Sequence, residues 1–465
     1  MDSSYALTDE HRQHHNVTFT LLAVAAVAYA LLQSLVVPAL LTIQDDLQTS
    51  ASGAAWILTA YLLSASVLTP VAGRLGDMFG KKAALVIVMT VLGLGTVLAG
   101  LATSIDLMIV GRVIQGAGGA VFPLAFGIIR DEFPRERIPH GIALISAILG
   151  IGGGAGIVLA GPIVDHFSYH WLFWFPLIGI VAATVGIVVS VPESPVRTPG
   201  RIDPLGGVLL AGWLVALLVG VSEGPNWGWG GGRTIGLFAA SVVLIVLWVW
   251  AEARSEAPLV DMRMMRIGPV WMTNLAALLI GYGMYASFIL VPEFVEQPKA
   301  HGFGFSASVT GGGIFMLPWT LAMLGAGPVA GRLSSRGGSR LPLQLGAIIS
   351  CIATVMLTVA HDKPWTIYVA MLIMGVGIGF AFASMANLIV ESVPSQQTGI
   401  ATGMNTIVRS IGGAIGAQIS ASIIAGTLAA DGSFTEHGFA LAFGVSAGVF
   451  ALGAGVALQI PRRGR

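Results

Sequence analysis

Two arginines stand inside long apolar stretches of this sequence, where a charged side chain is unusual. They are Arg112 and Arg409. A charge in such a segment costs about 3 kcal/mol or more in a bilayer, so these residues usually face a partner or a water-filled cavity. Two alternatives follow for Arg112: a structural bond to backbone carbonyls, or a part in proton coupling or substrate binding. Gln115, one helical turn further, and Gln33 are its expected neighbours, and Arg409 poses the same question.

Carboxylates that could carry a proton are found only near the predicted ends of the apolar stretches. Asp165 and Glu293 are the candidates, and Glu293 leads because it follows Pro292 at a predicted outer mouth. An acid that is partly buried near an arginine can exchange its proton near neutral pH. The alternative, an ordinary loop acid at position 293, stays open.

Another cluster of charges lies in Gly73–Lys82, a short glycine-rich turn between two apolar stretches. It contains Asp77 and a pair of lysines, and a degraded copy recurs as Gly331–Arg340. Two such turns, half a molecule apart, indicate two related bundles, and parallel repeats of this kind are known among transporters.

Two other function classes lack their motifs in this sequence. There is no G-x-x-x-x-G-K-[ST] loop for an ATP-driven pump and no H-E-x-x-H motif or buried carboxylate pair for an intramembrane enzyme. The single cysteine, Cys351, lies in an apolar run, so neither a disulfide framework nor a cysteine metal site is expected. We therefore expect no enzyme activity, cofactor, metal or nucleic-acid partner.

The elements that position these residues must be membrane helices. The chain has 465 residues, of which 55% are hydrophobic and 10% charged, and its apolar runs reach the length of about 18 residues that spans a bilayer. Only helices or closed barrels satisfy their backbone groups in lipid. We predict fourteen helical spans, at 18–43, 54–72, 83–102, 107–129, 141–164, 171–191, 205–222, 234–251, 270–291, 309–330, 341–360, 365–390, 400–425 and 439–460.

The placement of basic residues predicts that both termini are cytoplasmic. Of the 23 lysines and arginines, only Arg233, Lys299 and Lys363 fall in predicted outer loops, as the positive-inside rule requires. The predicted organisation is a cytoplasmic tail, a six-helix bundle, a linker, a two-helix insert, a second linker, a second six-helix bundle and a short tail. Their boundaries are 1–17, 18–191, 192–204, 205–251, 252–269, 270–460 and 461–465.

Three motifs in the expected spans resemble those of the major facilitator superfamily, and the fourteen-span layout is similar to its drug:proton antiporter branch. Residues of the first turn resemble motif A, Arg112–Ala120 resembles motif B, and Gly150–Pro162 resembles motif C. The resemblance implies an all-α polytopic fold of two six-helix bundles plus an insert. The matching motif A residues are Gly73, Asp77, Gly80, Lys81 and Lys82.

Within this resemblance, motif A implies a cytoplasmic gate. Asp77 would face the other bundle near Thr398 and Gly399, where the free N–H groups and dipole of a helix favour a carboxylate. The alternative is a solvated turn whose lysines only set the topology.

Motif C departs from the usual pattern because its Gly-Pro pair falls on a Gly-Ile pair. It implies either a hinge or close helix packing through small residues. The residues concerned are Gly152, Gly156, Gly161 and Pro162.

The position at which many members of this branch carry an acid in the first span is occupied here by Gln33. Because a desolvated cation needs a counter-charge, this departure favours neutral or anionic substrates. Candidates to line the cavity are polar or aromatic residues of the spans: Tyr29, Tyr61, Tyr282, Tyr285, Phe315, Trp319, Met323 and Asn387.

The function implied is export of lipophilic small molecules by alternating access, in exchange for protons. The alternative is a non-coupled facilitator or a non-transporting receptor on the same fold. The expected setting is a bacterial plasma membrane, with the lipid bilayer, protons and a small-molecule substrate as partners and the protein as a monomer.

Overall fold

The computed structural model describes residues 15–37, 39–49, 51–194, 204–255, 258–429 and 433–461. Within these ranges the regular structure is helical and contains no strand. Thirteen helices are long and apolar enough to cross a membrane, and the 29-residue helix Ile138–His166 has the length of a fourteenth. The predicted all-α polytopic fold is therefore confirmed.

The helices match the predicted spans in order, but those that end at Phe79 and Gly337 extend seven residues beyond the predicted ends at 72 and 330. In chain order they are α1 His15–Ser34, α2 Leu40–Asp46, α3 Ala51–Phe79, α4 Lys81–Gly100, α5 Ile105–Gln115, α6 Val121–Glu132, α7 Ile138–His166, α8 Trp171–Ser190, α9 Pro204–Trp227, α10 Gly232–Arg254, α11 Met262–Met265, α12 Gly268–Glu296, α13 Val309–Gly337, α14 Arg340–Val359, α15 Pro364–Ser392, α16 Thr398–Ala425 and α17 Glu436–Gln459. We call α1–α8 the N-terminal half, α9–α10 the insert and α12–α17 the C-terminal half.

Two predicted spans are not single helices. The first is divided into α1, which ends at Ser34, and α2, which begins at Leu40. The sequence between them contains a proline, a residue type that lacks a backbone N–H and disfavours helix at the preceding position. The fourth is α5 and α6 joined by a 3₁₀ segment, Gly116–Ala120. The glycines of this segment allow a close approach of α3, since a Cβ added at Gly116 would meet the backbone of Ala65 at 2.6 Å.

Each half has its own apolar core. One buried cluster is built mainly from α1 to α8 and another from α12 to α17. A third cluster joins the insert, through Leu210 and Trp248, to Met404 of α16, with Leu63 of α3 packed against it. The insert therefore packs against both halves.

Two seams join the halves and position the site described below. In one, α3 packs against α16; in the other, α7 packs against α13 and α15. The α7–α13 seam is tight because a Cβ on Gly327 would lie 3.0 Å from the carbonyl oxygen of Ala143. Small residues at such positions allow membrane helices to pack backbone to backbone.

Candidate functional site

Asp77 joins the two halves at the end of the α3–α16 seam. Its Oδ1 accepts a hydrogen bond from the backbone N–H of Gly399 at 3.2 Å, and its Oδ2 accepts one from Ile400 at 3.1 Å. The side chain is fully buried. These are free N–H groups in the first turn of α16, where the helix dipole also favours a negative charge. The structure thus places Asp77 beside the residues that the motif A resemblance implies.

Gly73 makes this contact possible from the α3 side. A Cβ at Gly73 would lie 2.7 Å from the carbonyl oxygen of Gly399, and a Cβ at Gly399 would lie 2.6 Å from that of Gly73. Real Cβ atoms do not approach this closely, so the two helices cross backbone to backbone. We call the contact of Asp77 and Gly73 with the start of α16 the gate contact.

Lys81 stabilises the carboxylate from within its own half. Its Nζ lies 2.8 Å from Oδ2 of Asp131, at the end of α6, and 3.9 Å from Oδ1 of Asp77. The lysine and both acids are almost completely buried, and buried charges of this kind need partners. Ser194 also donates to Asp131, so Asp131 and Ser194 belong to the site although the motif reading did not single them out.

The predicted turn Gly73–Lys82 is wrong, because α3 continues to Phe79 and α4 begins at Lys81. Gly80, the residue between the two helices, and Lys82 contact the segment after α8. Gly80 has φ +117°, a conformation that favours glycine, and a Cβ there would collide with the carboxylate of Glu193. That carboxylate accepts the backbone N–H groups of Lys82 and Ala83 at 3.1 Å each, which caps the start of α4. Lys82 Nζ donates to the carbonyl of Val188 at 3.0 Å.

Arg130, at the end of α6, is a second connection between the halves. Its guanidinium donates to the carbonyl of Val393 at 2.8 Å, to the carbonyl of Pro394 at 3.3 Å and to Oγ1 of Thr398 at 2.6 Å. The carboxylate of Asp77 therefore binds the start of α16, and the guanidinium of Arg130 binds the end of α15 and the loop between these helices. Each charge lies at the helix terminus whose dipole favours it. We found no sequence signal for this role, because Arg130 stands in an ordinary basic loop pattern.

Arg112 is fully buried in the N-terminal half. Its Nε donates to the carbonyl of Ile57 at 3.1 Å and its Nη1 donates to Oε1 of Gln115 at 2.8 Å. The guanidinium lies 4.4 Å from the ring centre of Tyr61, a favourable cation–π distance. The structural alternative predicted for Arg112 is thus present, while its Nη2 has no hydrogen-bond partner among the described residues.

A mixed cluster connects Arg112 with the C-terminal half. The hydroxyl of Tyr29 interacts electrostatically with Arg112 and with Arg409 of α16, and Tyr285 of α12 interacts with Arg409 and with Gln33. The groups that act on the two arginines are tyrosines and include no carboxylate. The structure therefore brings Gln33 into the same cluster as Arg112 and Arg409, but as a neighbour of Tyr285.

A cavity of about 20 Å³ lies beside Arg409, between the halves. It has room for about one water molecule. The gate contact lies about one helical turn away, since Thr402 lines the cavity and Thr398 starts α16. The cavity is lined by Phe122, Phe126, Ser146, Phe382, Ala386, Thr402, Asn405, Thr406 and Arg409, of which sequence reasoning named Arg409 alone.

Several predicted cavity residues lie in the apolar core of the C-terminal half instead. Tyr282, Phe315, Trp319 and Met323 are all members of that buried cluster. Phe315, for example, stacks on Tyr368 with ring centres 4.4 Å apart. The residue types of these four side chains did not distinguish them from the residues that line the central cavity.

The remaining candidates lie along the α7 seams or at the far end of α12. Asn387 donates to the carbonyl of Pro139 at 3.2 Å and so bridges the halves. Glu293 lies beside Glu296 near the end of α12 and is not among the groups that act on either arginine. Asp165 belongs to α7, but its side chain lies outside the described residues.

The motif C glycines form a packing surface. Ser34 of α1 donates to the carbonyl of Gly152 at 2.5 Å, and a Cβ on Gly156 would collide with the Ser34 hydroxyl. Gly161 faces Thr310 of α13, and Pro162 is exposed. Close packing between α1 and α7 is therefore present, whereas a hinge role remains a prediction.

Comparison with known proteins agrees with this architecture. The model of the Major Facilitator Superfamily matches residues 22–417. The tetracenomycin C resistance and export protein of Streptomyces glaucescens is 30% identical over 391 residues, which cover 83% of this chain and 72% of that protein. The multidrug resistance protein Stp of Mycobacterium tuberculosis is 27% identical, with coverage of 79% and 68%.

Among solved structures, the human organic anion transporter MFSD10 (TETRAN) superposes with a TM-score of 0.67. The match covers 96% of this chain and 99% of that one at 16% identity, which shows a shared fold. The motif positions, the two packed halves and these matches lead to one conclusion: the chain belongs to the Major Facilitator Superfamily, and it is a multi-pass membrane transporter rather than an enzyme.

Proposed function

We propose that this protein is a secondary active transporter that exports lipophilic small molecules, neutral or anionic, by alternating access and in exchange for protons. Its relatives are named for drug resistance and export. The observation that carries the proposal is the gate contact, in which Asp77 closes a buried polar cluster by binding the first turn of α16.

Alternating access needs contacts between the halves that can break as a unit. The polar contacts across the gate come from two side chains, Asp77 and Arg130, both of which hold the loop before α16 and its first turn. Hydrogen bonds to charged groups contribute about 1.5–3 kcal/mol each. A few such bonds can hold one face shut and still release it when a substrate or ion favours the other state.

The chemistry of the central cluster supports the substrate class. Its described polar groups are two guanidiniums, three tyrosine hydroxyls and an amide, with no carboxylate acting on either arginine. Lipophilic cations would meet two like charges and no counter-charge, which is costly in a low dielectric. Neutral or anionic molecules with aromatic character match the arginines and the phenylalanines that line the cavity.

Proton exchange is proposed on the strength of the drug:proton antiporter resemblance. Among the described residues the central cluster offers no acid to carry the proton, and Glu293 is the leading carrier outside it. A facilitator without proton coupling is the second candidate function, and the missing central acid favours it.

The gate contact is proposed to face the cytoplasm, together with both termini, in a bacterial plasma membrane. This assignment follows from the basic residues clustered on the same side of the predicted topology. The protein is proposed to work as a monomer.

Efflux from proteoliposomes tests the proposal. Vesicles containing the purified protein are loaded with fluorescein, an anion, or rhodamine 123, a cation built on the same xanthene core. We expect faster efflux of fluorescein and acceleration by an imposed pH gradient. If efflux occurs at the same rate with and without the pH gradient, the protein is a facilitator. If neither dye, nor any compound of a wider panel, leaves the vesicles faster than it leaves protein-free vesicles, transport is refuted.

A charge variant sharpens the test of substrate class. Gln33→Glu adds the acid that relatives often carry and is expected to shift preference toward rhodamine 123. The matched control is Gln48→Glu, the same change at an exposed position after α2. High-affinity export of dications by the wild-type protein, lost on changing Gln33, would contradict the proposed class.

A further inference from the structure

We propose that the closed protein binds a small inorganic anion, of the size of chloride, in the central cavity beside Arg409. The inference goes beyond export, because it concerns the transporter with no drug bound. It rests on the partners, charges and space around this one side chain.

The guanidinium of Arg409 has no protein acceptor. Across the described residues it makes neither a hydrogen bond nor an ion pair, although a guanidinium carries five N–H donors. It lies over the ring of Phe382, with the ring centre 4.5 Å from Cζ. The face of an aromatic ring attracts a cation but does not satisfy its N–H groups, so these donors are available to a ligand.

The other polar side chains around the cavity do not supply the missing acceptor charge. Thr402, Thr406 and Ser146 each donate to a backbone carbonyl one turn earlier, and Asn405 donates to Asn274. No carboxylate is among the residues that line the cavity. Arg409 is thus the charged residue that lines this cavity, and no acidic side chain among the lining residues balances its charge.

A second uncompensated cation lies close enough to matter. Arg112 and Arg409 both act on the hydroxyl of Tyr29, and the three ion pairs among the described residues include neither arginine. A cation without a counter-charge is unfavourable in a low-dielectric region. One bound monovalent anion supplies that counter-charge and accepts hydrogen bonds from Arg409.

The size of the cavity selects the anion. Its volume is about 20 Å³, enough for about one water-sized particle, so a monatomic anion is the simplest occupant of the closed protein. The cavity is bordered by α6, α7, α15 and α16 of the two halves. The bound anion therefore stabilises the closed arrangement of the halves.

Chloride binding to the purified protein in detergent tests this inference. Binding of ³⁶Cl⁻ and the melting temperature are measured in sodium chloride and in sodium gluconate at equal ionic strength and pH. We expect saturable ³⁶Cl⁻ binding, competition by bromide but not gluconate, and a melting temperature higher by about 2 °C or more in chloride. Equal melting temperatures with no saturable binding would overturn the proposal.

Variants assign the site to Arg409. Arg409→Gln is expected to abolish both ³⁶Cl⁻ binding and the chloride-dependent shift, while Arg409→Lys retains weaker binding because it keeps the charge. The matched control is Arg336→Gln, the same change at an exposed arginine near the end of α13, which should bind chloride like the wild type. Unchanged chloride binding in a folded Arg409→Gln protein overturns the assignment. If that variant does not fold, the competition between chloride, bromide and gluconate on the wild-type protein tests whether a small anion binds.

Discussion

Replacing Asp77 with asparagine should open the gate contact without unfolding the protein. The carboxylate accepts two N–H groups, from Gly399 and Ile400, and an asparagine can accept only one while presenting an NH₂ group to the other donor. The substitution also removes the interaction of a negative charge with the start of α16. Both changes weaken the contact between the halves.

The magnitude follows from these two losses and one gain. A hydrogen bond to a charged group contributes about 1.5–3 kcal/mol, and the helix dipole up to about 2 kcal/mol in a buried setting. A neutral side chain recovers part of this, because it costs less to bury than a carboxylate. A net loss of about 1–2 kcal/mol shifts the ratio of open to closed protein by roughly 5–30-fold.

A buried reporter cysteine measures this shift. Thr402 lies one turn beyond the start of α16, is 2% exposed and lines the central cavity. In a Cys351→Ala background, Thr402→Cys should react with a water-soluble maleimide at a rate proportional to the open fraction. We expect Asp77→Asn to raise that rate about 5–30-fold.

Asp106→Asn is the matched control, because it makes the same change at an exposed acid in the first turn of α5, inside the N-terminal half. Its labelling rate should stay within a few-fold of the parent. Equal rates for Asp77→Asn and the parent, in protein that melts normally, would refute the gate as described.

Three further substitutions test the same surface. Gly73→Ala should raise the labelling rate of the reporter about tenfold or more, because its Cβ would lie 2.7 Å from the carbonyl oxygen of Gly399. Gly80→Ala should lower the melting temperature by several degrees, because the strained φ and the contact with Glu193 together cost about 1–3 kcal/mol. Arg130→Gln should raise the labelling rate about 5–30-fold, because a neutral amide cannot replace three charge-assisted bonds across the halves.

Matched changes control these measurements. Gly207→Ala introduces the same methyl group on α9 where no atom lies within 4 Å of the new Cβ, so labelling and melting should match the parent. Arg137→Gln removes a neighbouring arginine after α6, which contacts His15 of the same half. If Gly207→Ala changes the labelling rate as much as Gly73→Ala does, or Arg137→Gln as much as Arg130→Gln does, the effect comes from the type of substitution and not from the gate contact.

Several features of the site were predictable from sequence. The apolar runs located the helices along the chain, although α3 and α13 end seven residues beyond the predicted ends at 72 and 330. The placement of Arg112 in such a run singled it out as a residue that needs partners. Gln115 was predicted as its neighbour because residues three apart share a helix face, and the two side chains are hydrogen-bonded at 2.8 Å. The contact of Asp77 with the region of Gly399 was predicted only from the resemblance of Gly73–Lys82 to motif A.

Other features had no sequence signal. Glu193 was read as part of a proline-rich linker, yet it caps α4. Arg130 was counted only as a basic loop residue, and Trp319 was expected at the cavity but packs in the core of the C-terminal half. In each case the residue type fitted several environments, and the partner stands far away in the chain.

The sequence by itself therefore determined that the chain forms apolar helices in a membrane, roughly where they lie along the chain, and which charges they carry. These properties are local, because each helix satisfies its backbone within its own segment. Only the tertiary structure decided which charges meet: Asp77 with α16, 322 residues away, and Arg112 and Arg409 around the hydroxyl of Tyr29. Contacts of this kind depend on how close two helix surfaces can pack, which no pattern within either helix specifies.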